Sequence, residues 1–376
     1  MVPESKFNIV KVFGKIFLLN TFIFLSFSVF GQFVSFSNEF LKIGATAQGI
    51  ATGNSIMANI KGSSALYYNP ANITKLANSL DFTITHSEYF SNVANYDFAS
   101  VAYKYKPDIS LAAGFIRLGV DNIPNTLSIY SNGSFDPDKI TYFSVEDYAF
   151  LLSLAKNLGN LSYALRSKII YRHLGQFVNG YGFGIDAAIT YHQGKNIFAA
   201  NFNDILGTFT AWFYNLDSTV INVFDSTGNA IPQNAMEFTI PSTILAWGRT
   251  FQIAPKWTLA AETDIYIEWA QKNNMLLSTR IFSLSPRLGA ELQFKDVLFI
   301  RAGMSNFQKV TYFTGKDSVN TSRRINFFPQ MGIGFRYHGI FIDYAFQNFL
   351  NSAVALRSHF ITVRFSLGKK PEKSML

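Results

Sequence analysis

Along residues 282–294 apolar and polar positions alternate without a break. Phe282, Leu284, Pro286, Leu288, Ala290, Leu292 and Phe294 fall on one face, and Ser283, Ser285, Arg287, Gly289, Glu291 and Gln293 on the other. Successive side chains of a strand point to opposite faces, so this run is a ribbon with one oily side and one polar side. Soluble strands usually have about 5–6 residues, whereas a strand tilted across a bilayer needs about 9–11. The run has the longer length, and it recurs. Tyr181, Phe183, Ile185, Ala187, Ile189 and Tyr191 alternate with Gly182, Gly184, Asp186, Ala188, Thr190 and His192; the stretch 257–268 repeats the unit from Trp257 to Glu268. Repetition of so long a unit predicts an all-β chain, a transmembrane antiparallel β-barrel.

From residue 80 onward the alternation predicts about 14 strands, near 80–90, 97–106, 109–119, 146–157, 160–173, 180–192, 195–206, 236–253, 256–270, 281–294, 297–309, 326–337, 339–350 and 357–367. An even number is what single-chain bacterial barrels have. Tight turns follow the even-numbered runs: Lys106-Pro107-Asp108, Leu158-Gly159-Asn160, Gln193-Gly194, Ala254-Pro255, Lys295-Asp296 and His338-Gly339. Longer connections follow the odd ones, notably 120–145, 207–235 and 310–325. Outer-membrane barrels have short periplasmic turns and long extracellular loops, so the spacing places both termini in the periplasm of a Gram-negative cell. Pro241, Pro286 and Pro329 interrupt strand-like runs, where each removes a ladder donor and predicts a bulge.

Composition narrows the class. Only 15% of the 376 residues are charged and 48% are hydrophobic, against about 25% charged in an average soluble domain. There is no cysteine, which excludes disulfides, thiolate metal sites and cysteine nucleophiles. Lys6, Lys11 and Lys15 followed by the apolar stretch 16–29 read as a signal peptide over 1–31, with about 14 apolar positions where a spanning helix needs about 20. Without that segment the formal charge of +8 becomes 8 − (3 − 1) = +6. The remaining basic residues are dispersed, which argues against nucleic acid and for outer-membrane lipid as the charged partner. A segment 368–376 is expected to be a flexible tail.

Residues 32–79 lack the alternation. Small residues dominate, with Gly49 and Gly53 in a G-x-x-x-G spacing and Asn69-Pro70 as a turn initiator. The segment is expected to be a plug packed inside the barrel, its motif residues being Gly49, Gly53, Tyr67, Tyr68, Asn69 and Pro70. The run Phe40-Leu41-Lys42-Ile43-Gly44-Ala45, the small-residue stretch to Gly53, and Ser64-Ala65-Leu66-Tyr67-Tyr68-Asn69-Pro70-Ala71 resemble the N-terminal signature of the PorV/PorQ family. Those proteins are FadL-like outer-membrane barrels associated with the type IX secretion system. This chain has Gln48-Gly49-Ile50-Ala51-Thr52-Gly53 where the family commonly has an Arg-Ala-Leu-Gly-Met-Gly-like run, and Lys61-Gly62 where it has an Asp. The resemblance implies a non-enzymatic partner of the type IX translocon and sortase that receives the signal domains of exported cargo proteins. A FadL-like channel taking up a hydrophobic ligand through the lumen is the alternative, and a scaffold barrel in an envelope complex a third role.

The alternation assigns Arg117, Arg166, Lys168, Arg172, Asp186, Glu262, Asp264, Glu268, Arg287, Glu291, Arg301, Arg336, Asp343 and Arg364 to the lumen. Buried charge left unpaired is very unfavourable, so these groups are expected to pair with one another and with the plug. A substrate path is the sharper use of them. Glu262 and Asp264 share a face, yet the five histidines have no metal-ligand spacing and no nucleophile elbow or phosphate loop occurs; no enzyme and no cofactor is expected. Phe209, Trp212, Phe213 and Tyr214 open the 207–235 connection and form a candidate partner-binding loop.

Overall fold

The computed structural model describes residues 38–127, 129–131, 134–313, 321–348 and 357–368. The expected signal peptide lies outside these residues, as does all of the expected tail but Gly368. Fourteen strands form the wall: β1 (Leu80–Tyr89), β2 (Ala94–Lys104), β3 (Ile109–Asn125), β4 (Thr141–Leu158), β5 (Leu161–Leu174), β6 (Val178–Gln193), β7 (Asn196–Asn203, resumed by Thr208–Tyr214), β8 (Ala235–Thr239, resumed by Ser242–Ala254), β9 (Trp257–Glu268), β10 (Ser283–Phe294), β11 (Leu298–Phe313), β12 (Thr321–Tyr337), β13 (Ile340–Asn348) and β14 (Arg357–Leu367). Each pairs antiparallel with its chain neighbour, and β1 closes on β14 in a register running from Leu80 opposite Leu367 to Glu88 opposite His359. Closure leaves no open edge, the condition for a sheet in lipid.

The outer face is apolar. On β10 Leu288 is 46% exposed, and Leu165, Ile169, Phe183, Ile300, Ile333 and Ile361 stand equally open on other strands. Tyr103, Trp257, Phe335 and Tyr337 are exposed near the short-turn rim, and Tyr181, Phe213 and Trp269 near the opposite one. Inside, Ile50, Ile60, Leu66 and Ile73 of the N-terminal segment pack with Tyr96, Phe98, Ile116, Leu151, Ile170 and Phe360 of the wall as one core.

Three expectations are corrected by these strands. The connection expected over 207–235 is shorter, because β7 resumes at Thr208 after Asp204 and Gly207, both with positive φ, make a wide bulge. Connections β1–β2 (90–93) and β5–β6 (175–177) are as tight as those at the other rim, so the alternation of short and long is not strict. Arg117 faces outward, with Glu146 at 2.7 Å, while its neighbour Ile116 is fully buried. Both faces of β3 are apolar there, one toward solvent or lipid and one toward the plug, so alternation in the sequence had no phase to report.

The prolines mark interruptions. Pro241 sits between the two segments of β8. Pro286 lies where β10 has left β11: the two strands pair only from Leu288–Met304 down to Phe294–Leu298. The widening gap above is occupied by the β9–β10 connection, with Met275 bridging Gln308 and Leu277 pairing with Leu284. Pro329 stands opposite Met304, beside a register shift at Ser305/Gln308 where Asn306 has positive φ.

Candidate functional site

Two short helices and two 3-10 turns, Glu39–Leu41 and Pro70–Lys75, carry the plug. Helix α1 (Ala47–Ala51) starts at Thr46, whose side chain accepts from the Gly49 amide at 3.2 Å. Helix α2 (Ala65–Tyr68) runs into Asn69, which begins the 3-10 turn Pro70–Lys75. Asn69 Oδ1 accepts from Ala71 N at 3.1 Å, and Nδ2 donates to Met57 O and to Thr190 Oγ1 of β6, both at 2.8 Å. Pro70 is at the first turn position, where its missing N–H costs nothing.

The two tyrosines tie the front of the plug to its back. Tyr67 Oη accepts from Gly44 N at 3.0 Å and donates to Leu41 O at 2.8 Å. Tyr68 Oη accepts from Ala45 N and Thr46 N at 3.0 and 3.2 Å. Burial pushes both phenols up, so they stay neutral and able to donate. Gly49 leaves the space that the Tyr68 ring fills, and Gly53, at φ +69°, lets the plug backbone touch that of Met304 on β11. A Tyr68→Phe variant should therefore leave two buried amides without an acceptor. About 1–3 kcal/mol of stability is expected to be lost, read as a lower urea midpoint of the refolded barrel.

Wall charges take up the remaining plug groups. Arg166, buried on β5, pairs with Asp186 at 2.6 Å and sends Nη1 to the carbonyls of Leu66 (2.7 Å) and Tyr67 (2.5 Å) at the end of α2. Lys168 joins Asp186 and Asp204 at 2.8 and 2.6 Å. Glu262 accepts from Ala58 N, Asn59 N and Asn59 Nδ2 at 2.6, 3.0 and 2.8 Å, with Asp264 buried beside it on the same face. Arg301 bridges Glu291 (2.5 Å) and Asp343 (2.7 Å), while Gln48 of α1 donates to Glu291 at 3.1 Å. Arg172 lies apart, paired with Asp147 at 2.6 Å and stacked 4.9 Å from the Trp212 ring. Arg336 sits at the short-turn rim with Asp296 at 3.2 Å. The lumen charges are thus several separate clusters.

Above the plug is a chamber of about 480 Å³ floored by Glu39, Lys42, Ile43 and Asn54 and walled by the upper parts of β9 to β13, with Lys272, Asn274 and Met275 of the β9–β10 connection. A smaller void of about 70 Å³ lies between plug and wall, and Arg287 lines both. Asp204, Lys272 and Asn201, whose Nδ2 caps Tyr68 O at 2.5 Å, carry weight that alternation in the sequence did not reveal. The only sign of Asp204 was an Asp followed three residues later by Gly207 at the end of an apolar run.

The candidate loop aromatics belong to a strand. Phe209 and Phe213 are about half exposed on the outer face of β7, whereas Trp212 is buried toward the lumen. Tyr214 ends that strand; the connection proper is 215–234, with helix α3 (Ser218–Ser226). Among the described residues no three carboxylates, histidines or cysteines are grouped to hold a metal.

No protein-family model matches the sequence, and no curated protein matches it significantly. Solved structures do match. The CymD monoaromatic hydrocarbon channel is 11% identical with a TM-score of 0.55, covering 88% of this chain and 99% of its own. The P. putida toluene transporter TodX is 12% identical with a TM-score of 0.53 over 87% and 99%. The Ralstonia pickettii toluene transporter TbuX is 13% identical with a TM-score of 0.52 over 86% and 98%. At such identities the likeness shows the fold alone: a closed, fourteen-stranded antiparallel β-barrel, shared with these channels.

Proposed function

We propose that this barrel stands in the outer membrane with its long connections outside, and that it admits small molecules to the chamber above the plug. The chamber carries this reading: its volume falls in the range of small-molecule sites, about 300–1,000 Å³, and the plug closes its floor. Its lining mixes Tyr89, Phe90, Met275 and Phe307 with Ser, Asn and Gln side chains, which fits an amphipathic molecule better than a bare hydrocarbon. Channels of the same fold, named for toluene and monoaromatic hydrocarbons, lend support to transport as the activity. The test is accumulation of a labelled monoaromatic compound by Gram-negative cells whose outer membrane carries the protein. Uptake is expected to exceed that of cells without it; equal uptake sinks the proposal.

A second role, binding type IX cargo or translocon components through the outer connections, is favoured by the plug residues that resemble PorV/PorQ and by the 20-residue connection 215–234 with its own helix. The plug residues that carry the resemblance are occupied in holding the plug, however, so they speak for architecture more than for cargo. Mild-detergent purification from the native envelope should then bring a protein partner that is lost when 215–234 is deleted. Unchanged partners would refute this role.

A further inference from the structure

Five charged residues line the chamber: Lys42, Lys272 and Arg287 against Glu39 and Glu268. Four of them neutralise each other. Lys42 is 2.9 Å from Glu39 and 3.7 Å from Glu268, and Lys272 is 2.8 Å from Glu268 and 3.5 Å from Glu39. The guanidinium of Arg287 is the remainder, and among the described residues it makes no ion pair or hydrogen bond. Buried Asp264 stands opposite it across the β9–β10 ladder and attracts it at longer range, but no ion pair within 4 Å joins the two. Instead the guanidinium carbon lies 5.0 Å from the centre of the Tyr266 ring, and Arg287 lines both the chamber and the smaller void below. A guanidinium is weakly hydrated for a cation and holds its donors in one planar fork, so one seated over an aromatic face with its donors free is prepared for a planar anion.

We infer that Arg287 is the anion-recognising group of the chamber, and that the molecule taken there is a small organic anion with a ring body. The ring follows from the lining: Tyr89, Phe90 and Phe307 supply aromatic faces, and Ser285, Ser305 and Gln308 supply neutral hydrogen-bonding groups around them. The inference rests on the chamber being a ligand site, as proposed above. It adds the charge that the ligand must carry.

Benzoate and benzyl alcohol, alike in size and different in charge, are the probes. Binding to the purified full-length protein in detergent is measured by calorimetry, and uptake in the cell assay described above. Wild type is expected to bind benzoate at one site and to prefer it to benzyl alcohol. Arg287→Gln should weaken benzoate about 10–100-fold, the worth of a hydrogen bond to a charged group, and leave benzyl alcohol unchanged within about two-fold. Arg287→Lys should recover part of the loss. Equal affinity for the two probes in wild type, no benzoate binding, or unaltered benzoate affinity in Arg287→Gln would overturn the inference. If the glutamine variant does not fold, sulfate competition in wild type decides: it should displace benzoate and spare benzyl alcohol, and displacement of both or neither counts against Arg287. Benzoate binding without uptake would remove the transport role and uphold the anion site. Benzyl alcohol uptake with no preference for benzoate would do the reverse.

Discussion

Replacing Arg166 with leucine is expected to lower the stability of the folded barrel by about 3–5 kcal/mol, the cost of breaking a buried ion pair by removing one partner. The side chain is 7% exposed and its partner Asp186 1%. Once the guanidinium is gone, Asp186 keeps Lys168 as its cation, but Lys168 is shared with Asp204. The carbonyls of Leu66 and Tyr67 also lose their donor, and these end the helix around which the plug is folded. The urea midpoint of the refolded protein should fall accordingly, and the plug should become accessible to protease from the short-turn side. A double variant, Arg166→Leu with Asp186→Leu, should recover much of the loss, because an apolar pair leaves no charge buried alone. If Arg166→Leu unfolds at the wild-type midpoint, the plug is not held by this cluster.

Gly303→Val is expected to push the plug off the wall. A side chain at this position would overlap the backbone of Thr52 and Gly53, which no rotamer change can relieve. The plug must shift instead, and with it the bonds from Ala47 N to Thr362 Oγ1 (2.8 Å) and from Gln48 to Glu291. Overpacking in a well-filled interior costs typically up to about 3 kcal/mol, and this contact is backbone on backbone, so the upper end applies. Conductance across a planar bilayer should rise above the wild-type level as the floor of the chamber opens. Gly159→Asn, in a turn at φ +68° that asparagine tolerates and where an added side chain meets nothing within 4 Å, is the control and should alter neither conductance nor the plug's protease resistance.

The wall was readable from residue types because it obeys a local rule. On β10 the apolar set from Leu284 to Phe294 faces out and the set from Ser283 to Gln293 faces in, as the period of two requires, and the same holds for β6, β9 and β14. The rule failed where both faces of a strand are apolar, which is how Arg117 came to be placed inside. It also failed at Asp204, where a bulge lets one wall strand go on past an apparent loop. The plug was visible as a break in the pattern, and Gly49 and Gly53 as no more than a small face lying close to something else. That one makes room for a tyrosine ring and the other for a neighbouring backbone depends on contacts with Tyr68 and Met304.

By itself the order of residues determined the kind of molecule this is: long two-faced strands, even in number, closed around a segment of different texture. Those properties depend on near neighbours in the chain, through the alternation of side chains and the chemistry of turns. The folded structure alone decided which charge meets which. Arg166 and Leu66 are 100 residues apart, Glu262 and Ala58 204, and Arg287 faces Asp264 without joining it. Such pairings are set by where the closed wall brings its inner face against the plug, and no local periodicity encodes a distance of that kind.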